Sequence, residues 1–175
     1  MSVSVKITGL KELNNAFKHL DKEMKREARK GVRKALNAGA KEIKKALKPV
    51  VPIMAKGTNF RQKGVLKKTI RHKTDLDKGK LTGNTTVYFS DRNASKTIKA
   101  RERRRAGADG KLHTGPITIY QNDPFFWHMV DRGTANGVKA QHFMKKAENK
   151  KDKALRVTKE TLEGEIAKVI KKVGG

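Results

Sequence analysis

The chain contains no cysteine. Disulfides, thiolate metal sites and cysteine nucleophiles are thereby excluded, and the composition suits assembly in a reducing cytoplasm. Aromatic residues supply only 5% of the sequence and hydrophobic residues 35%, so a chain of 175 residues, expected to form one domain over 1–175, has little with which to fill a core. A thin core is expected, helped by elongated helices or by burial at subunit contacts. Acidic residues are scarce too: 17 Asp and Glu stand against 43 Lys and Arg, a formal net charge of +26. Such self-repulsion requires an acidic partner, either nucleic acid, whose counterions are released when phosphates are neutralised, or an acidic protein surface. No apolar run approaches the roughly 18 residues needed to span a bilayer, and Met1-Ser2-Val3-Ser4-Val5 lacks the order of a signal peptide, so a soluble protein with no membrane partner is expected.

What is present is periodic. Val3, Val5 and Ile7 alternate with polar residues as in a short strand. Leu10, Leu13, Phe17, Leu20, Met24, Ala28, Val32, Ala35, Leu36, Gly39, Ile43, Ala46 and Leu47 then recur at intervals of three and four, which predicts a long helical region to Lys48 with a break near Asp21 or Gly31, ended by Pro49 and Pro52. Residues 50–64 read as loop, 65–70 as one helical turn leading into a strand through Lys73, and 75–83 as a polar turn. Strands are predicted at 85–89 and 116–121 from their β-branched and aromatic residues. Asp123 is the expected N-cap and Pro124 the first position of a short helix that Gly133 stops. A final helix is expected over about 141–173, with a stripe including Phe143, Met144, Ala147, Ala154, Leu155, Leu162 and Ile170. The class is α+β: a small, mainly antiparallel sheet of about four strands flanked by a long N-terminal helical region and a long C-terminal helix.

Residues 91–115 form a basic insertion in which Lys96, Lys99, Arg101, Arg103, Arg104, Arg105 and Lys111 face only Glu102 and Asp109. Arginine forks grip phosphate oxygens, so these seven are the candidate contacts to DNA or to an acidic partner, with a solvated, mobile loop as the equal alternative. The cations of the long helix surround a continuous apolar stripe instead of preceding a separate zipper, which favours a solvated face over groove reading. Phe125, Phe126 and Trp127 are adjacent and cannot all stack on one ligand, so core packing is favoured for them and for Tyr88, Phe89 and Tyr120.

Nothing in the sequence has catalytic spacing. His128, Asp131 and His142, or Asp75 with Asp77, match no metal or nuclease pattern, and the phosphate-loop, zinc-protease and serine-elbow motifs are missing. No catalytic residue, metal or cofactor is assigned.

The least charged stretch is 123–147, where an aromatic segment runs into Val130-Asp131-Arg132-Gly133-Thr134 and then Ala140-Gln141-His142-Phe143-Met144-Lys145-Lys146-Ala147. It resembles the tail-completion family of tailed bacteriophages, the minor tail components that join head to tail. The order of elements is similar: Gly9-Leu10 precedes the helices, Pro52 follows them, and Lys63-Gly64-Val65-Leu66-Lys67-Lys68-Thr69-Ile70 stands where that family has a Thr-Gly-x-Leu-x-x-Ser-Ile type segment. Asp131 replaces the glutamate of its Val-Glu-x-Gly-Thr turn, while His142 and Lys146 replace the two prolines that open its last helix; the insertion has no counterpart. The resemblance implies a non-enzymatic virion protein of the neck, assembled in the host bacterial cytoplasm, forming a homo-oligomeric ring of six. Its implied partners are the tail terminator, tail tube and head connector proteins and packaged double-stranded DNA. Phe126, Trp127, Val130, Asp131, Gly133, Thr134 and Phe143 are the expected subunit or partner interface.

Overall fold

The apolar stripe of the N-terminal half builds the longest element of the computed structural model, which describes residues 3–7, 15, 22–58, 61–92, 94, 97–106, 111–135 and 137–173, with backbone alone for 3–7, 97–106, 112–119 and 173. Leu10, Leu13, Phe17 and Leu20 of the expected stripe, and Lys96, lie outside the described residues. Two compact units divide the chain: Met1–Val51 with Ile70–Tyr88 and His142–Gly175, and Pro52–Thr69 with Phe89–Gln141.

In the first unit, helix α1 (Lys22–Val50) is 29 residues long, about 43 Å at ~1.5 Å per residue. It buries Gly31, Val32, Ala35, Leu36, Gly39, Ala40, Ile43 and Leu47, as the three-and-four spacing demands. Of the two expected break points, Asp21 lies outside the described residues; at Gly31 the helix is unbroken, and that glycine serves packing, since a Cβ there would stand 3.0 Å from Glu165 Cβ. Nor does Pro49 stop the helix at once. It sits in the last turn, and Val51 N–H still donates to Leu47 O at 3.1 Å, since a proline so late forfeits only its own bond to the preceding turn.

The expected continuous C-terminal helix is two helices, one over Phe143–Glu148 and one over Lys151–Val173. Asn149, a poor helix former, interrupts them, and Lys150 N–H turns back to Ala147 O. We label them α4 and α5, since two short helices of the second unit precede them in the chain. Phe143, Met144 and Ala147 of α4 are buried, whereas Leu155 and Ile170 of α5, expected in the stripe, are exposed; Thr158 is buried in their stead. Helices α1 and α5 run antiparallel, with Gly31 against Glu165 and Gly39 against Thr158 and Ala154. Gly31, Ala35 and Gly39 on one helix, and Ala154, Thr158 and Leu162 on the other, are rows at a spacing of four, so small residues allow the two ridges to approach closely.

Strands β1 (Val3–Ile7), β2 (Ile70–Leu76) and β3 (Gly83–Phe89) form a sheet in the order β1-β3-β2, with β1 antiparallel to β3 from Val3↔Val87 to Ile7↔Gly83. The turn between β2 and β3 is closed by Asp77 N–H on Thr82 O at 2.9 Å. Gly83, Thr85 and Val87 alternate inward. The Thr74 hydroxyl donates to Asn37 Oδ1 at 2.7 Å and lies 2.8 Å from Thr85 Oγ1, so the polar groups where sheet meets α1 are satisfied.

In the second unit, strands β4 (Thr97–Ala106) and β5 (Leu112–Tyr120) form an antiparallel ribbon. Among the described residues the strands therefore divide into a sheet of three and a ribbon of two, in place of one sheet of about four. The basic stretch is no loop: residues 97–106 are extended, because backbone pairing to β5 supplies the order that a run of arginines does not advertise. Pro116, opposite Glu102, is tolerated because in a two-stranded ribbon both strands are edges. Two short helices, α2 (Val65–Thr69) and α3 (Trp127–Arg132), complete this unit.

Candidate assembly interface

The expected interface segment begins at an Asx turn. Asp123 Oδ1 accepts Phe125 N–H at 2.9 Å, and Trp127 N–H reaches Pro124 O at 2.9 Å. Asp123 is therefore not the N-cap of α3: its carboxylate is spent on the preceding turn, and the helix starts three residues later than expected, at Trp127 behind Phe126. The end of α3 follows expectation. Gly133 has φ 80° and ψ 177°, a region reserved for glycine, and its N–H caps Met129 O at 2.9 Å. Thr134 then closes a five-residue loop, its N–H donating to Val138 O at 3.0 Å and its hydroxyl accepting Val138 N–H at 3.3 Å. Gln141 N–H returns to Val130 O at 3.1 Å, so the loop is fastened to the helix it leaves.

A brace that the sequence reading missed holds this hinge. The Arg61 guanidinium lies 4.0 Å from the Phe126 ring centre and 5.3 Å from that of Phe125, a cation–π clamp. Burial lowers the Arg61 pKa and the carboxylate of Asp123 opposes that shift. Gln62 N–H donates to Asn122 Oδ1 at 2.9 Å, and Asn122 itself holds φ 61°. Partners some sixty residues away leave no local pattern in the sequence.

The expected interface residues differ in access. Phe126 is buried and Trp127 half-buried, with its ring stacked on Phe89 at 5.4 Å. Asp131 is only 8% exposed and engaged within the fold, so reversing its charge would test folding before assembly. Phe143 is fully buried, in the first unit. What the segment offers to a neighbour is Phe125, Met129 and Val138, exposed by 49%, 38% and 46%. Beside them Ile53, Val65, Leu66, Phe126 and Val130 line an apolar cleft of about 120 Å³. Core packing thus holds for Phe126, whereas Phe125, Tyr88 and Tyr120 are exposed, against expectation.

Of the expected phosphate contacts, Lys99, Arg101, Arg103, Arg104 and Arg105 all lie on β4, the last four in register with Ile117, Gly115, Thr114 and His113, and Lys111 is exposed just before β5. A second cationic surface, read from sequence as merely solvated, lies on α1. Lys22, Lys25, Arg26, Arg29, Lys30 and Arg33 line a groove of about 530 Å³ with Leu76. Among the described residues no group of acidic or histidine side chains could hold a metal ion, and no helix is long and apolar enough to cross a membrane.

The model of the family described as "Bacteriophage HK97-gp10, putative tail-component" matches residues 16–102 of the 175. Over this span the chain is HK97-gp10-like. The match covers α1, the loop to α2, and strands β2 and β3, and it enters β4. The HK97-gp10-like region thus includes the Lys63–Ile70 segment that carried part of the resemblance, and stops before the hinge at 123–147. A structural role in the phage tail, and with it a place in the virion among other virion proteins, follows from the family. No curated protein and no solved structure matches the chain.

Proposed function

We propose that this protein completes the phage tail and joins it to the head connector as one subunit of a homo-oligomeric ring of six in the neck, acting by binding and not by catalysis. Both units then serve one tail-completion-like domain, assembled in the host cytoplasm, with tail terminator, tail tube and connector proteins as neighbours. The observation that carries the reading is the apolar surface of this segment: Phe125, Met129 and Val138 are exposed before, on and after α3, and the backbone that leaves α3 is held by Gly133 and Thr134. Apolar side chains on a fixed support are what an interface core uses, because little ordering entropy is lost on contact. Val130 and Phe126, in the floor of the adjoining cleft, complete the surface; Phe143 stiffens the first unit from within.

Sedimentation and native mass spectrometry of the wild type and of Met129→Lys/Val138→Lys test the proposal. The wild type should assemble, and the double variant should remain monomeric with unaltered Trp127 emission and fail to enter particles. Normal incorporation of that variant, or a wild type that stays monomeric and never appears in virions, would defeat the reading. The alternative, a free-standing nonspecific nucleic-acid binder using its basic arm, predicts the latter result.

A further inference from the structure

We propose that the groove on the first half of α1, and not the β4–β5 arm, is the main phosphodiester-binding surface of this protein. Its cations occur at 22, 25, 26, 29, 30 and 33, steps of three and four that place them along one side of the helix over roughly 17 Å at ~1.5 Å per residue. The C-terminal end of the row, at Arg33, is backed by the buried Gly31 and Val32. Arg29 is fixed by donating to Asp77 O at 2.7 Å and Lys80 O at 2.8 Å, which locks the β2–β3 turn to the row. Lys30 is held at 2.6 Å by Glu27, whose carboxyl lies below its usual range through that hydrogen bond and through the charges of Lys30, Lys172 and Arg26. Among the described residues Lys22, Arg26 and Arg33 form no ion pair, and all three are exposed.

A polyphosphate backbone fits better than an acidic protein surface. The row offers several donors at repeated spacing without any hydroxyl or amide side chain to read a specific partner, and arginine forks match phosphate oxygens. Nor does it offer the asparagine or glutamine that reads base edges, so contact is independent of sequence.

Fluorescence anisotropy with two unrelated 20-base-pair duplexes, titrated from 50 to 200 mM salt, tests the assignment. Each phosphate contact contributes ~0.9 to the slope of log K against log salt, so Lys22→Ala/Arg26→Ala/Arg33→Ala should flatten the slope by ~2.7 and weaken binding equally for both duplexes. Arg103→Ala/Arg104→Ala/Arg105→Ala should leave the slope nearly intact. Circular dichroism and the Trp127 emission check that each variant is folded; Lys22→Gln/Arg26→Gln/Arg33→Gln replaces the first if it is not. An equal or larger loss in the arm variant overturns the proposal, as does a wild type that binds neither duplex, or one displaced as readily by polyglutamate as by unlabelled DNA. Ring assembly is read separately by mass, so either proposal can fail alone.

Discussion

Gly133→Ala is the substitution to which the hinge should be most sensitive. With φ at 80° and ψ at 177°, an alanine there occupies backbone space that residues with a Cβ avoid, at a cost of about 1–3 kcal/mol. The added carbon would lie 2.8 Å from Val138 O and 3.0 Å from Ala140 N, both backbone atoms that no rotamer change can move. Val138 O is also the acceptor for Thr134 N–H, so relief of the contact sacrifices a hydrogen bond worth about 1 kcal/mol. Against this, loss of unfolded-state freedom restores about 0.4–1 kcal/mol. The net destabilisation is about 2 kcal/mol, or a fall in Tm of ~4–8 °C for a chain of this size. Trp127, the single tryptophan, sits at the start of α3 against Phe89, so its fluorescence on heating reports this unit selectively. Gly137→Ala is the control: its φ of 95° imposes strain, but nothing lies within 4 Å of the new carbon. If Gly133→Ala melts no earlier than Gly137→Ala, the argument that the hinge is held by a glycine-only turn is wrong.

Two further outcomes follow from the α1–α5 seam. At Gly39 an added Cβ would stand 2.1 Å from Thr158 Oγ1 and 3.1 Å from Ala154 O, so Gly39→Ala should cost about 1–3 kcal/mol in urea unfolding despite its better helix propensity, and a Thr158→Ala background should recover part of that loss. Glu42 and Glu165 are held below the usual carboxylate range, the first by hydrogen bonds from Lys45 and Lys153 and the second by those from Lys168 and Lys34. Their stabilising effect is present above the unfolded glutamate pKa of ~4.3 and is lost as pH falls through their lower folded values, so Glu42→Gln/Glu165→Gln should lose less stability than the wild type on acidification from pH 6 to pH 3, read by circular dichroism.

The elements that sequence made legible are those whose period is their cause. The α1 stripe and the alternation of β3 both follow from burial of one face, and both appear where expected. The turn at Gly133 was legible for the same reason, since a glycine after an apolar helix with threonine behind it leaves few backbone choices. Illegible were features created by distant partners. The strand at 97–106 has a polar sequence and exists through its pairing with 112–120; Arg61 reaches Phe126 from more than sixty residues away; Leu155 and Ile170 satisfy the helical period yet are exposed. Charge alone is silent on arrangement: a row of lysine and arginine on α1 reads as solvated face whether or not its side chains converge on a groove.

The distribution of the few acids connects stability to partner choice. Glu42 binds both Lys45 at 2.7 Å and Lys153 at 3.1 Å, and Glu165 binds both Lys34 and Lys168 at 2.7 Å, so each serves two lysines at the junction of α1 with α5. Surface pairs of this kind contribute too little to offset the self-repulsion of +26 charges, but they neutralise the seam where lysines of two helices would otherwise face each other. At the first three turns of α1, Glu27 engages Lys30, and Lys22, Arg26 and Arg33 form no ion pair among the described residues. Two of the 17 acids thus serve the α1–α5 seam, while the first turns of α1 carry six cations with Glu23 and Glu27 as their acids. A polyanion bound at that surface, as proposed above, would stabilise the fold by mass action.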